Sequence, residues 1–113
     1  MKKLLERTCS ACEIGAPLVP HEEQVLLLKD LKGWRIDNKD ISKLVKCFKF
    51  DHYNQSIEFA NKIAELADLE DHHPKITIEW GIVGLEWWSH KIKGLHMNDF
   101  ICAAKSDYLY ESN

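Results

Sequence analysis

The chain has 113 residues, enough for one domain with a single hydrophobic core and no need of covalent cross-links. Apolar residues make up 45% and charged residues 29%, and the formal net charge of −3 argues against a nucleic-acid footprint, which shows as a basic face or tail. No apolar run reaches the length of a membrane span, so neither nucleic acid nor membrane is expected as a partner.

Met1-Lys2-Lys3-Leu4-Leu5 has the opening of a signal peptide, but Glu6 and Arg7 interrupt it before an apolar stretch develops, which predicts a cytoplasmic protein. Residues 1–18 read as an irregular arm of mixed charge, with Cys9-Ser10-Ala11-Cys12 followed by Gly15-Ala16-Pro17. The CxxC has zinc-knuckle spacing, yet a closed site needs four ligands and no second CxxC or HxxxH follows, so no metal is expected. A thioredoxin-like redox role fits less well still, because the pair precedes the fold instead of ending a strand. Nothing points to an oxidising compartment in which the four cysteines (Cys9, Cys12, Cys47 and Cys102) would form a disulfide set.

The domain proper is expected over residues 19–113. Pro20 followed by Glu22 and Glu23 marks a helix start, since proline is tolerated in the first turn and acids suit the dipole there. Val25, Leu28 and Leu31 give it an apolar stripe that ends at Gly33. Trp34-Arg35-Ile36 is short and extended, and Asp37-Asn38 reads as a turn. From Ile41 to Phe50, Leu44, Lys46, Phe48 and Phe50 alternate with Val45, Cys47 and Lys49 as in a strand. Cys47 there, and Cys102 in a helical pattern, read as small core residues. Asp51 can cap a second helix running to about Leu69, with Tyr53, Ile57, Ala60, Ala64 and Ala67 on one stripe and Phe59, Ile63 and Leu66 widening it. Pro74 biases His73 away from helical dihedrals, so this helix ends near the histidine pair. Ile76, Ile78 and Trp80 alternate with Thr77 and Glu79 in a third strand. Val83, Leu85 and Trp87 alternate with Gly84, Glu86 and Trp88 in a fourth, and Gly81 between them permits a tight reversal. A last helix follows Gly94, from about Asn98 to Tyr108. The order α-β-β-α-β-β-α with short connections predicts an α+β domain, a four-stranded antiparallel sheet with three helices packed on one face.

Function is sought where the histidines gather: His72, His73, His90 and His96 stand close in sequence, out of six in the chain. Histidine titrates near neutral pH and so suits proton shuttling. Adjacent histidines do not match the spacings by which zinc is ligated, whereas acid–base chemistry needs one imidazole near a reacting proton and others to hold the ligand. The competing reading is a helix-terminal histidine complementing the dipole. By strand parity His90 projects with Trp88 away from the Val83–Leu85–Trp87 face. Trp88 there offers a flat surface for a heteroaromatic ligand or, equally, for a subunit interface. Asp99 reads from spacing alone as a partner of the last helix's dipole. His96 stands where a cap belongs, which leaves a capping box incomplete and Asn98 as the alternative cap. His21 and His52 read as solvent-facing.

The run Asp71-His72-His73-Pro74, then Trp80, Val83, Ser89-His90, Gly94-Leu95 and Asp99, resembles the pterin-4a-carbinolamine dehydratase family, as do Gly33-Trp34, Phe48-Lys49-Phe50 and Tyr53 upstream and the CxxC arm with Pro17-Leu18. The resemblance covers nearly the whole chain. It implies a dehydratase that eliminates water from 4a-hydroxytetrahydropterin to give quinonoid dihydropterin, with no metal or other cofactor, in support of tetrahydrobiopterin recycling for an aromatic amino-acid hydroxylase. Carried over by position, His72 and His90 would be the acid/base pair and His73 would bind and orient the pterin. Asp99 would support the histidines and Trp34 would line the pocket, with Pro74, Trp88 and Ser89 beside them. A homodimer or homotetramer is implied as well. The chain departs from the family pattern at Ser89 (usually Thr), at Gly81 (usually Asn), at Trp87-Trp88 (usually smaller) and at His96 (usually Thr), the last of which removes the helix cap. Two alternatives stand beside the enzyme: a dimerisation-cofactor role resembling that of a transcriptional coactivator, and a related enzyme acting on another pterin.

Overall fold

The two-residue connection Trp80-Gly81 sets the geometry of the sheet. Glu79 pairs with Ile82 directly across it, and Gly81 takes φ +74°, a conformation that an L side chain adopts only with strain. A computed structural model describes residues 3–10 and 16–112 and contains this hairpin as strands β3 (Lys75–Glu79) and β4 (Ile82–Trp87). Upstream lie helix α1 (His21–Leu28), strands β1 (Arg35–Asp37) and β2 (Lys43–Lys49) and helix α2 (Tyr53–Glu70), and helix α3 (Met97–Glu111) closes the chain. The four strands form one antiparallel sheet in the order β1-β2-β4-β3, so β2 and β4, distant in sequence, pair at its centre. The expected α+β architecture is the one observed.

Side-chain alternation decides which face is covered. Leu44, Phe48, Val83, Leu85 and Trp87 turn inward and are essentially inaccessible, against Phe59, Ile63 and Leu66 of α2 and Phe100 and Ala103 of α3. Burying each large side chain stabilises the fold by about 1.5–3 kcal/mol. Leu27 and Leu28 of α1, with Leu31 after it, join the same core. Cys47 shares parity with the uncovered face and is exposed, which corrects its reading as a core residue; Cys102 is buried as expected. The buried stripe of α2 is Ser56, Phe59, Ala60, Ile63, Leu66 and Ala67, centred on the bulky residues; Tyr53 and Ala64, expected on it, are exposed, as is Val25 in α1. The cap of α2 is His52, not Asp51, and Gln55 Oε1 accepts its N–H at 3.2 Å. Among the described residues no helix is long and apolar enough to cross a membrane.

The arm is less irregular than its sequence suggests. Leu4–Glu6 form a 3-10 turn against α3, the Cys9 N–H donates to Glu70 Oε1 at 2.8 Å, and Asn98 brackets Ser10 with two hydrogen bonds of 3.0 and 2.7 Å. Cys12 of the CxxC lies outside the described residues. Burial alone would raise the Glu70 carboxyl, but the Cys9 N–H and the Lys105 ammonium at 2.9 Å outweigh it and hold the group below its ordinary value. A depressed carboxylate contributes stability that is present above its unfolded pKa and is lost as pH falls through its folded pKa. Glu70→Gln should therefore lower the urea midpoint by about half a molar at pH 7, and the gap to wild type should close below about pH 4. Equal midpoints at pH 7 would show that the arm is not held by this charge.

Candidate active site

Helix α2 ends on Asp71, which takes a left-handed conformation (φ 51°, ψ 43°), and the His72 N–H reaches back to the Ala67 carbonyl at 3.1 Å. This is a Schellman-type stop with an aspartate where glycine is usual. The chain then extends through Pro74 into β3, so the two histidines turn to opposite sides. His72 points inward and is 6% exposed, with its imidazole stacked on Trp87 at 5.8 Å between centroids and 7° between planes. His73 points outward, and its imidazole meets the exposed Asp68 at 3.1 Å.

A second adjacent pair repeats the division after β4. Ser89 is fully buried and His90 exposed. A bridge between Ser89 and Gly94 closes the turn that carries His90. Leu18 lies against Gly94, where a Cβ would stand 2.7 Å from Leu18 Cδ2, so a larger residue there would displace that side chain. The inward members of the two pairs meet on Asp99, which is fully buried in the first turn of α3. His72 Nε2 is 2.6 Å from Asp99 Oδ1, while Ser89 Oγ and the His96 N–H donate to Oδ2 at 2.9 Å each. A buried carboxylate is costly unless hydrogen-bonded, and here it accepts from three groups at a helix N-terminus. Because a carboxylate accepts, the contact places a His72 proton on Nε2, and in the neutral imidazole Nδ1 then carries the lone pair. Asp99 is thus a ligand of His72 as well as a dipole partner of α3.

His96 does not remove the cap of α3: it is the cap. Its Nδ1 accepts the Asn98 N–H at 3.0 Å and its own N–H goes to Asp99, a complete capping box; Asn98, the expected alternative, spends its side chain on Ser10 instead. The outward members gather on the other side. The His90 ring lies 4.3 Å from that of half-buried Trp88, and Lys43 Nζ stands 4.4 Å over the same indole. His90 Nε2 is 3.3 Å from the His73 carbonyl; a carbonyl only accepts, so His90 Nε2 carries a proton, and Nδ1 holds a lone pair when the ring is neutral and a second proton when it is charged. The contacts form two groups, His72, Asp99 and Ser89 inside and Trp88, His90 and His73 outside, which are linked along the chain at His72-His73 and Ser89-His90. Trp34 stands apart. Its indole N–H donates to both oxygens of Asp107, further along α3, at 3.0 Å, and Lys46 completes that group at 2.8 Å. Of two imidazoles, one backed by a buried carboxylate, a neutral one can take a proton and a charged one can give it.

The family model described as pterin 4 alpha carbinolamine dehydratase matches residues 16–109. A protein of Saccharophagus degradans is 46% identical over 98% of this chain and 99% of its own length, and one of Vibrio cholerae is 52% identical over 92% and 96%. Both carry the provisional name pterin-4-alpha-carbinolamine dehydratase. Among solved structures, a transcriptional coactivator/pterin dehydratase from Brucella melitensis superposes with a TM-score of 0.78 at 22% identity, over 83% of this chain and 99% of that one, a likeness of fold. A pterin dehydratase-like protein identified as a RuBisCO assembly factor in the alpha-carboxysome superposes with a TM-score of 0.62 at 25% identity, over 74% and 96%.

Proposed function

This chain belongs to the pterin 4 alpha carbinolamine dehydratase family, and from that premise we propose that it dehydrates a 4a-hydroxytetrahydropterin by histidine acid–base catalysis. The C4a hydroxyl leaves as water after receiving a proton, N5 gives up its proton, and the C4a–N5 single bond becomes the double bond of the quinonoid dihydropterin. Protons balance, and no electron leaves the substrate. His72 and His90 serve as the acid/base pair: the neutral one takes the N5 proton on its Nδ1 lone pair, the one that enters as imidazolium protonates the leaving hydroxyl, and His73, on the exposed side of the same junction, orients the ring. Asp99 fixes the His72 tautomer and stabilises its imidazolium at whichever step it holds two protons. After two-electron reduction by a separate reductase, the product would return to the tetrahydropterin pool that aromatic amino-acid hydroxylases use.

The observation that carries this reading is the 2.6 Å contact between His72 and a fully buried Asp99. A histidine that only packed would not need an ionised partner taken out of water, a burial that costs several kcal/mol before its hydrogen bonds offset it. Generating 4a-hydroxytetrahydropterin in situ and following its loss tests the proposal directly. Wild-type protein should accelerate dehydration at least a hundred-fold over the spontaneous rate, on the order of what positioned acid–base groups supply. A rate equal to the protein-free control would refute it.

A further inference from the structure

The arm and α3 bring two thiols together. Cys9 Sγ lies 3.5 Å from Cys102 Sγ, although the residues are 93 apart in sequence. The approach is held from both sides: the Cys9 N–H is tied to Glu70 at 2.8 Å, and Ser10 is bracketed by Asn98, one turn before Cys102 on the same helix. Cys102 is fully buried, whereas Cys9 is half-buried at the edge of the core. A disulfide needs its sulfurs at about 2.05 Å, so they must close by roughly 1.5 Å, within reach of a χ1 adjustment at Cys9.

We propose that Cys9 and Cys102 form a reversible disulfide that staples the N-terminal arm to α3 when the protein meets a small-molecule disulfide such as oxidised glutathione. The Cys9 thiolate attacks one sulfur of the oxidant, whose S–S bond breaks and releases one thiolate, leaving a mixed disulfide on Cys9. Cys102 then gives up its proton, attacks the Cys9 sulfur and displaces the second thiolate. The two protons lost by the protein are taken up by the two released thiolates, and the oxidant is reduced by two electrons. The order follows from access, since only Cys9 reaches the edge of the core. The Cys102 thiol is held well above its ordinary pKa, first by its hydrogen bond with Cys9 and then by burial. Cys102 acts second because it is buried against Cys9, so the mixed disulfide presents the Cys9 sulfur to it at that contact. The staple would fix the arm across the C-terminus of α2 and the first turn of α3, the two places that carry His72 and Asp99.

The inference is independent of the pterin reading and is tested without substrate. Folded protein is incubated with oxidised glutathione and quenched in acid, and its free thiols and disulfide-linked peptides are determined. Two of the four thiols should disappear, the linked peptide should join Cys9 to Cys102, and the thermal midpoint should rise by about 10 °C and return on reduction. Cys12→Ser should leave all three results unchanged, and Cys9→Ser, at the half-buried end, should abolish them in a protein that still folds. A Cys9–Cys12 link, a lasting glutathione adduct on Cys9, or thiols that stay reduced until the protein unfolds would overturn the proposal.

Discussion

Asp99→Asn should lower dehydration turnover roughly a thousand-fold while leaving a folded protein. Asp99 accepts at both oxygens, from His72 on one and from Ser89 and His96 on the other. An asparagine can keep one of these sides with its carbonyl oxygen but must present an NH2 to the other. The Oδ2 side carries the main-chain donor of the capping box, so the carbonyl goes there and the NH2 faces His72. His72 Nε2 must then accept, which moves its proton to Nδ1 and removes the lone pair that the chemistry uses. The lost charge and the altered contact cost about 1–3 kcal/mol, a fraction of the stability of an ordinary domain. Turnover near that of wild type in a folded Asp99→Asn protein would show that His72 is not held for catalysis.

Much of the frame was legible because it follows from short-range rules. Alternation from Ile76 to Trp88 with Gly81 at its midpoint admits only a hairpin, and the same parity sends Trp87 inward and Trp88 outward. The inward and outward split of Ser89 and His90 extends that pattern. What the sequence hid lies in two kinds of contact. Helix starts were misplaced because histidine ranks low among capping residues, yet both His52 and His96 take that position, beside an Asp51 and an Asn98 whose side chains are better suited but stand out of register. The pairing of His72 with Asp99 spans 27 residues and that of Trp34 with Asp107 spans 73, and each depends on how α3 lies on the sheet. No spacing rule reports such a contact. The resemblance to a family supplied Asp99 as a support for the histidines; packing shows which histidine it holds, and it anchors Trp34 elsewhere on α3. Glu70 carried no signal and Asn98 only that of a cap, because both are polar residues at helix ends whose partners sit in the arm.

His90→Ala gives the cleaner measure of the acid–base pair. Its imidazole is exposed and, among the described residues, meets Trp88 and, at 3.3 Å, the His73 carbonyl. Removing it should change the unfolding free energy by no more than about 0.5 kcal/mol, as for most surface substitutions. Turnover should nevertheless fall by roughly a hundred- to ten-thousand-fold, the share a positioned acid or base supplies. His72→Ala cannot be read so simply. It leaves Asp99 buried and short of a donor and opens a void against Trp87, which together cost about 3–5 kcal/mol. A loss of activity there would mix chemistry with instability, so the stable variant must carry the argument and the double variant must complete it. If the two imidazoles act as a unit, His72→Ala with His90→Ala should be no slower than the worse single variant. Additive losses would mean that each histidine works alone, and unchanged turnover in His90→Ala would remove that residue from the mechanism.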